Sequence, residues 1–338
     1  MIKKYKKELL ISFLFFIVLY SGLMFYFYTA YKATVQDFTK NILKENALLI
    51  DTTINTLNKE CDTIFYLKIN QPKVLKIMNK ANNPNKRDIA RKELYSLLLP
   101  TYKILKSDKL SLFFFQLPNA ISFLRFHKPS LYGDSIKHVR YSIDLADKTR
   151  KIIRGFEEGI MIGEFRNVYP LFYKNKFIGT VEISYSINAI SQTLINHNLS
   201  FYGLLQKKEL IYKKVWKKFR NNYVQSLISN NYVWDKRVFN SNYYKDNKVK
   251  LIKDIQKIEK KLKIKKELSK NKPFIKTTSL NNKNYISIFQ PIKNIKSQII
   301  GYIVTIEENN FLTKRKHRYT NIQLLLFIGS LLVLIRLQ

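Results

Sequence analysis

Six side chains that could bind a charged solute fall in the segment 113–184, among aromatic, proline and glycine residues: Arg125, His127, Tyr132, Arg140, Glu157 and Arg166. Arg125 and Arg166 lie in β-like runs, where alternate side chains point to one face of a sheet. A guanidinium donates a fork of hydrogen bonds to a carboxylate and keeps its charge when desolvated. The residues therefore predict a polar pocket, built on a sheet, for an anionic group such as a carboxylate. In the structural alternative, the two arginines pair with Asp134 and Glu157 and hold a loop to the sheet.

The other polar side chains of the segment would complete such a pocket. Glu157 would receive an ammonium group or pair with an arginine, while His127 and Tyr132 would supply neutral hydrogen bonds. The alternative for His127 is a hydrogen bond within its own loop, and for Tyr132 a place in the turn 132–134. Three aromatic rings are expected to wall the cavity: Phe115, Phe123 and Phe126.

Catalysis is a weaker interpretation of these residues, and we expect no enzyme. The sequence contains no nucleophile elbow, zinc-protease helix or phosphate loop, and no kinase or cyclase signature. Its four histidines are isolated from one another, and Cys61 is the single cysteine. We therefore expect no metal site, no cofactor and no internal disulfide.

Strand-like runs, rich in aromatic and β-branched residues, must position the pocket side chains: Leu110–Leu117, Ala120–Phe126, Glu164–Tyr173 and Phe177–Ser186. A helix is predicted over Arg87–Lys106, and a second helix, which carries Arg140, over Asp134–Arg154. The segment Asn70–Lys86 is predicted to be a turn-rich loop. The order of these elements predicts an α+β fold with antiparallel sheets.

One hairpin pattern occurs twice in the chain. The segments 165–184 and 285–308 both reach a proline, cross a Lys-Asn turn and resume with Ile-Gly and a β-run that ends near a glutamate. Pro170–Gly179 and Pro291–Gly301 differ in length by one residue. The repeat predicts two related modules in tandem, over residues 31–196 and 197–318.

The first membrane segment is predicted over Leu9–Ala30, which is 22 residues long and has no charged side chain. As a helix it would span about 33 Å, enough to cross a bilayer. Basic residues in segment 1–8 would keep the N-terminus in the cytoplasm: Lys3, Lys4, Lys6 and Lys7. A cleaved signal peptide is the alternative, but the apolar run is long and no small-residue cleavage site follows it.

A second apolar run, Tyr319–Ile335, predicts another membrane helix over 319–336, near the lower length limit of roughly 17 residues. The alternative is a terminal core helix. Two spans would place residues 31–318 outside the cytoplasm, so we expect a membrane protein with most of its chain extracytoplasmic. A formal net charge of +36 comes from lysines spread along the chain, so a membrane surface is favoured over nucleic acid as its partner.

Helical periodicity is expected at two further places. An apolar stripe between Leu43 and Ile64 predicts a long stalk helix, packed on its own domain or against a second copy in a homodimer. The Lys-rich segment Lys245–Lys272 carries an amphipathic stripe. We interpret it as a helix with a solvated charged face, the alternative being a helix on the membrane surface.

Three motifs together resemble the double Cache family: F-x-L-P-N-x-x-S-F-L-R-x-H-x-P-x-x-Y-G-D at 115–134, G-F-E-x-G at 155–159 and F-R-x-V-Y-P at 165–170. Double Cache domains are the PAS-like extracytoplasmic sensors of bacterial chemoreceptors, sensor histidine kinases and diguanylate cyclases. The resemblance covers the first module well and the second only at its hairpin. It implies a ligand site in the membrane-distal module, between the sheet and the helices and loops that cover one face.

The resemblance implies ligand sensing for signal transduction by a protein of the bacterial inner (cell) membrane. Members of the family continue past the second span into an output region, whereas this sequence ends at Gln338. We therefore expect either a truncated receptor or a separate cytoplasmic signalling partner. The alternative function is a membrane-anchored protein-interaction module whose sensor pocket is vestigial.

Overall fold

Two antiparallel sheets form beside one long N-terminal helix, α1 (Ile2–Ile64). The computed structural model describes residues 2–108, 110–195, 200–240 and 249–336. The first sheet has the order β2-β1-β5-β4-β3, with the bounds Leu110–Leu117 (β1), Ile121–Arg125 (β2), Ile153–Glu157 (β3), Glu164–Tyr173 (β4) and Lys176–Tyr185 (β5). The second has the order β7-β8-β6-β11-β10-β9, with the bounds Phe201–Lys207 (β6), Tyr223–Gln225 (β7), Tyr232–Asp235 (β8), Phe274–Leu280 (β9), Lys283–Lys293 (β10) and Ile299–Glu308 (β11). The predicted α+β fold with antiparallel sheets is confirmed.

Helices cover the sheets and connect their strands. After α1 and a π-helical turn (Phe65–Ile69), the remaining α-helices are Pro72–Ala81 (α2), Arg87–Asp108 (α3), Tyr141–Thr149 (α4), Ile187–Ile195 (α5), Lys208–Lys214 (α6), Val249–Lys261 (α7), Lys265–Ser269 (α8) and Phe311–Arg336 (α9). Short 3-10 helices lie at Pro84–Lys86, Pro118–Ala120, Lys217–Asn222 and Lys236–Asn240. The predicted helix at Arg87–Lys106 and the four predicted strands of the first sheet are confirmed to within two residues.

Two local predictions were wrong. The expected loop Asn70–Lys86 contains α2, which has Pro72 in its first turn and buries Val74 and Met78. Proline suits that position because the first helical N–H groups have no partner within the helix. The predicted helix Asp134–Arg154 forms only as α4, because the residues before it pair with β2: Ser122 N donates to the Asp134 carbonyl at 2.9 Å.

The two predicted hairpins have the same construction. In β4–β5 and in β10–β11, the register shifts just after the residue that follows the proline. Gly179 and Gly301 lie opposite that shift with φ of 135° and 155°. A Cβ atom at either position would lie about 2 Å from a carbonyl oxygen of the adjacent strand, that of Gln116 or Leu205. Both hairpins therefore have a glycine at the bulge, which allows a third strand to pack closely against them.

Helix α1 packs along both sheets. Its buried side chains include Ile50, Leu57 and Cys61, and the remaining residues of the predicted stripe are partly buried. Polar contacts fix its position: Asn46 Nδ2 donates to Thr305 Oγ1 at 3.0 Å in the second sheet. The stripe thus packs on its own chain, and the homodimer stays a prediction.

Membrane spanning is supported at the N-terminal end of α1. Within the described residues, one helix is long and apolar enough to cross a membrane, the continuous helix over Leu10–Ile69. Its most apolar stretch has a mean hydropathy of 2.2 and is not buried against the rest of the chain. The side chains of segment 1–9 lie outside the described part. Helix α9 contains the second predicted span, which stays a prediction.

The Lys-rich segment forms a helix that packs on the second sheet. Ile255, Ile258 and Leu262, on the predicted stripe, belong to the hydrophobic core. Residues 241–248 and the side chain of Leu251 lie outside the described part of the chain. The lysines that flank this buried stripe, among them Lys257 and Lys260, are solvated, as expected for a charged face.

Substituting Gly179 by Ala tests the constraint at the hairpin. Gly133, with φ of 88° and open space around it, is the matched control because Gly133→Ala adds backbone strain without a steric clash. We expect Gly133→Ala to lower the free energy of unfolding by about 1 kcal/mol. Gly179→Ala should lower it by at least about 2 kcal/mol more, because a strand must move as well. Equal losses in chemical unfolding would contradict this account.

Candidate functional site

A cavity of about 520 Å³ lies on the face of the first sheet that is turned away from α1. Phe114 points into it from β1, and Arg166 from β4. The loop before α4 and the loop between β3 and β4 close the sides. The lining consists of Ser111, Leu112, Phe114, Arg125, His127, Asp134, Ser135, Ile136, Val139, Arg140, Gly159, Ile160, Met161, Ile162, Glu164, Arg166 and Trp216.

Four buried charges lie at the base of this cavity. Arg166 Nη1 donates to Glu182 Oε1 at 2.7 Å, and Arg140 Nη2 donates to the other oxygen of Glu182. Glu157 Oε2 lies 3.5 Å from Arg140 Nε and 3.8 Å from Arg166 Nε. The exposed fraction of these side chains is 10% or less. Two guanidinium groups and two carboxylates thus neutralise one another where water is largely excluded; we call them the four-charge network.

Hydroxyl and amide groups complete the hydrogen bonding of the two carboxylates. Ser142, in the first turn of α4, donates from Oγ to Glu157 Oε2 at 2.6 Å and from N to Oε1 at 3.2 Å. Ser184 Oγ donates to Glu182 Oε1 at 2.5 Å. A buried carboxylate is tolerated when its oxygens are paired and hydrogen-bonded in this way.

Burial and charge act in opposite directions on this network. Burial alone would raise the pKa of Glu182, but the charges of Arg140 and Arg166 outweigh it and lower the pKa to about 2. For Arg140, desolvation disfavours the charged form, but Glu182 and Glu157 raise its pKa above the ordinary value. The net effect on both groups favours their charged forms at neutral pH.

One donor of Arg166 is not used by the network. Within the described part of the chain, no acceptor lies within hydrogen-bond distance of its Nε, although the atom is buried. Glu157, at 3.8 Å, is too far for a hydrogen bond. A buried guanidinium N–H without an acceptor costs free energy, and an acceptor that reaches this atom from the cavity would remove that cost.

Arg125 and His127 lie at the edge of the cavity. Arg125 forms a bidentate ion pair with Asp134, with N–O distances of 2.8 and 2.7 Å, and its guanidinium lies 4.8 Å from the centre of the Phe114 ring. For Arg125 the structure thus shows the alternative stated above, in which the arginine pairs with Asp134 and holds a loop to the sheet. Partial burial and the charge of Arg125 lower the pKa of His127, which favours a neutral imidazole.

Other predicted features lie elsewhere. Tyr132 does not line the cavity; it stacks under Arg91, with 3.4 Å between the guanidinium carbon and the ring centre. Phe115, Phe123 and Phe126 were wrongly predicted as cavity walls. They belong to the core on the opposite face, where Phe113 and Tyr102 also lie. Phe115 lies there because neighbouring residues of β1 point to opposite sides, so that it shares a face with Phe113 and not with Phe114.

Among the residues of the site that were missed from the sequence are Glu182 and Trp216. Glu182 lies in β5, and its place on the same face as Ser184 follows from the two-residue period of a strand, so the sequence contained that signal. Trp216 lies between α6 and the 3-10 helix Lys217–Asn222, beside the second sheet. No pattern in the sequence connects it with the first sheet.

The helix-covered face of the second sheet differs from the cavity-bearing face of the first sheet. Large aromatic side chains fill the space below α7 and α8: Phe201, Trp234, Phe289 and Tyr302. Glu259 of α7 is held there by Trp234 Nε1 and Ser226 Oγ, each at 2.7 Å. A cavity of about 660 Å³ beside α6 is lined by lysines and has no buried arginine. The first sheet therefore carries the stronger candidate site.

No protein-family model and no curated protein matches the chain. Solved structures with a similar fold include the extracellular domain of vpHK1S-Z8, described as a histidine kinase (15% identity, TM-score 0.43, 81% of this chain and 98% of that chain). Another is a domain of a Vibrio parahaemolyticus protein described as sensory box/GGDEF (14%, 0.42, 82% and 99%). A third is the ligand-binding domain of the Campylobacter jejuni chemoreceptor Tlp3 with 4-methylisoleucine (13%, 0.38, 81% and 94%). These structures come from the receptor classes that the sequence resemblance names.

Acid titration tests the four-charge network. Because the pKa of Glu182 is lowered from 4.5 to about 2 in the folded chain, its stabilising contribution is complete above the unfolded pKa and is lost as the pH falls toward 2. The shift corresponds to about 3 kcal/mol. We expect Glu182→Gln to lower the free energy of unfolding at neutral pH and to flatten its pH dependence between pH 5 and pH 2.

Glu308→Gln is the matched control, since Glu308 forms an exposed ion pair with Lys283. This change should leave the acid slope of the wild-type chain almost intact. An unchanged slope in Glu182→Gln, followed by circular dichroism at several pH values, would contradict the assigned role of the network.

Proposed function

We propose that the chain is the ligand-sensing part of a membrane receptor and that a small solute with a carboxylate group binds in the first-sheet cavity. The observation that carries the proposal is the buried guanidinium of Arg166, which lines the cavity together with those of Arg125 and Arg140 and keeps an Nε–H without an acceptor. A carboxylate oxygen is the acceptor that an arginine donor binds most strongly.

The charges and apolar walls limit what the solute can be. Arg125, Arg140 and Arg166 are each already paired with a carboxylate, so the site offers directed donors and little net positive charge. A compact solute with one carboxylate is therefore favoured over a polyanion. Its remainder would contact the apolar part of the lining: Leu112, Phe114, Ile136, Val139, Ile160, Met161 and Ile162.

The membrane arrangement is part of the proposal. The apolar end of α1 would span the bilayer with the N-terminus inside, and α9 would return to it. The two sheets would then form tandem sensor modules, 31–196 distal and 197–318 proximal, on the outer side. A second copy packed along α1 and a cytoplasmic signalling partner are the macromolecular contacts we expect.

A protein-interaction module is the second candidate function. It is favoured by the mutual pairing of Arg140 and Arg166 with Glu157 and Glu182, since a network satisfied by its own side chains can persist without a ligand. In that case the cavity would be a structural remnant, and solutes would leave the stability of the chain unchanged.

Thermal unfolding of the full chain in detergent micelles distinguishes the two candidates. The panel consists of acetate, hexanoate, benzoate, glutamate and citrate, with sulfate as an anion that lacks a carboxylate. A carboxylate that binds only the folded chain stabilises it by about 2.7 kcal/mol at a concentration of 100 times its Kd. No shift with any carboxylate would overturn the sensor proposal in favour of the interaction module.

Arg166→Lys tests the contribution of the unused donor. Lysine keeps a positive charge beside Glu182 but has no equivalent of Nε–H and no planar fork. We expect at least a tenfold loss of affinity for the stabilising carboxylate. Arg154→Lys is the matched control, because Arg154 lies on the adjacent strand and pairs with Asp62 of α1 on the other face of the sheet. Equal affinities for both variants would exclude a role for Arg166 in binding.

A further inference from the structure

The loop between β3 and β4 lines the cavity, yet residues from the second-sheet part hold its backbone. Gly159, Ile160, Met161 and Ile162 all belong to the lining. The loop has one internal hydrogen bond, from Gly159 N to the Ile162 carbonyl at 3.2 Å. Its other contacts determine where the lining residues lie.

Four hydrogen bonds link the backbone of this loop to the second-sheet part. Trp216 N donates to the Ile160 carbonyl at 2.9 Å, and Asn222 Nδ2 donates to the Met161 carbonyl at 3.1 Å. Gly163 N donates to Tyr223 Oη at 3.1 Å, and Arg237 Nη2 donates to the Gly163 carbonyl at 2.8 Å. The side chain of Ile162 also packs against the small core cluster of α6, β7 and β8.

Arg237 extends this connection to a charged residue of the lining. It is held by Asp235, with 2.7 Å between Nη2 and Oδ2, and it forms an ion pair with Glu164. Glu164 is buried, belongs to β4 and lines the cavity. A guanidinium from the second-sheet part thus fixes a carboxylate of the first-sheet site.

Trp216 adds a wall to the cavity from the same part of the chain. Trp216 lines the cavity and is 50% exposed. The other tryptophan of the chain, Trp234, is 1% exposed in the core of the second sheet. A solute that fills the cavity would cover part of the Trp216 ring.

We infer that the ligand site is composite: residues of the second-sheet part supply one wall and hold the lining loop in place. This inference rests on the proposed function. Trp216 would contact the apolar part of the carboxylate, while Tyr223 and Arg237 act as positioning residues through the loop. Binding of the solute is then thermodynamically coupled to the packing between the two sheet-bearing parts.

Hydrogen exchange on the full chain in lipid nanodiscs tests whether the second-sheet part holds the loop between β3 and β4 in place. Tyr223→Phe removes the acceptor of Gly163 N, and Tyr302→Phe is the matched control because its hydroxyl donates to the Leu268 carbonyl, remote from the loop. We expect exchange of the amides at 159–163 to rise roughly fivefold in Tyr223→Phe and to stay at the wild-type rate in Tyr302→Phe.

Acrylamide quenching of tryptophan fluorescence tests whether Trp216 forms a wall of the ligand site. Quenching of the wild-type chain reports on Trp216, because Trp234 is buried, and Trp216→Phe should abolish most of it. Each carboxylate of the panel that raises the Tm is expected to reduce quenching about twofold at saturation, since it covers the ring. Trp216→Phe and Tyr223→Phe should also weaken binding of that carboxylate several-fold, unlike Tyr302→Phe.

The outcomes separate this inference from the proposed function. A raised Tm with unchanged quenching, or equal exchange at 159–163 in both tyrosine variants, would overturn the composite site and leave the sensor function standing. If no carboxylate of the panel raises the Tm, the proposed function is overturned, and the composite site with it.

Discussion

The burial of two arginines beneath the cavity is the constraint on which the first sheet depends. Removing an ion from water costs several kcal/mol even after the protein relaxes, so each guanidinium requires a carboxylate nearby. Glu182 lies between Arg140 and Arg166, and Glu157 lies within 4 Å of both. Because these carboxylates neutralise most of the positive charge, the site keeps a hydrogen-bond donor of fixed direction rather than a strong electrostatic field. Selectivity in such a site arises from hydrogen-bond geometry and the shape of the apolar walls more than from attraction between net charges.

Much of the fold was predictable from the sequence, and the site only partly. The strands followed from β-branched and aromatic runs, and the repeat predicted the two related hairpins that contain Gly179 and Gly301. The sequence could not show which side chains of β1 point to which face of the sheet, because residues 113–115 are all phenylalanine and do not alternate between apolar and polar. The partner of Arg166 depends on the register of β4 and β5, which sets Val168 opposite Glu182. That register depends on the whole hairpin and its bulge rather than on any short motif.

Helix α1 makes the two sheets mechanically dependent on each other. Tyr185 Oη of the first sheet donates to Asn58 Oδ1 at 2.9 Å, and Asn46 donates to Thr305 of the second sheet. Nearer the apolar end, the rings of α1 and α9 stack, with 4.3 Å between the centres of Phe38 and Phe311. One helix thus contacts both sheets and α9. A displacement of either sheet along α1 would have to break buried polar contacts.

Contacts between the two sheets connect the surroundings of the cavity with α9. Ile295 N, in the turn between β10 and β11, donates to the Phe156 carbonyl of β3 at 2.9 Å, and Asn294 Nδ2 donates to Glu158 at 3.1 Å. From that turn, β11 runs to Glu308, shortly before α9 begins at Phe311. A solute would shift the equilibrium between two arrangements only as far as it binds one of them better. Glu158 belongs to the loop that lines the cavity and contacts Asn294 in the turn docked on β3. A hairpin of the second sheet therefore connects this loop to the helix proposed to enter the membrane, and a solute that binds one arrangement of the loop better would act on α9 along this path.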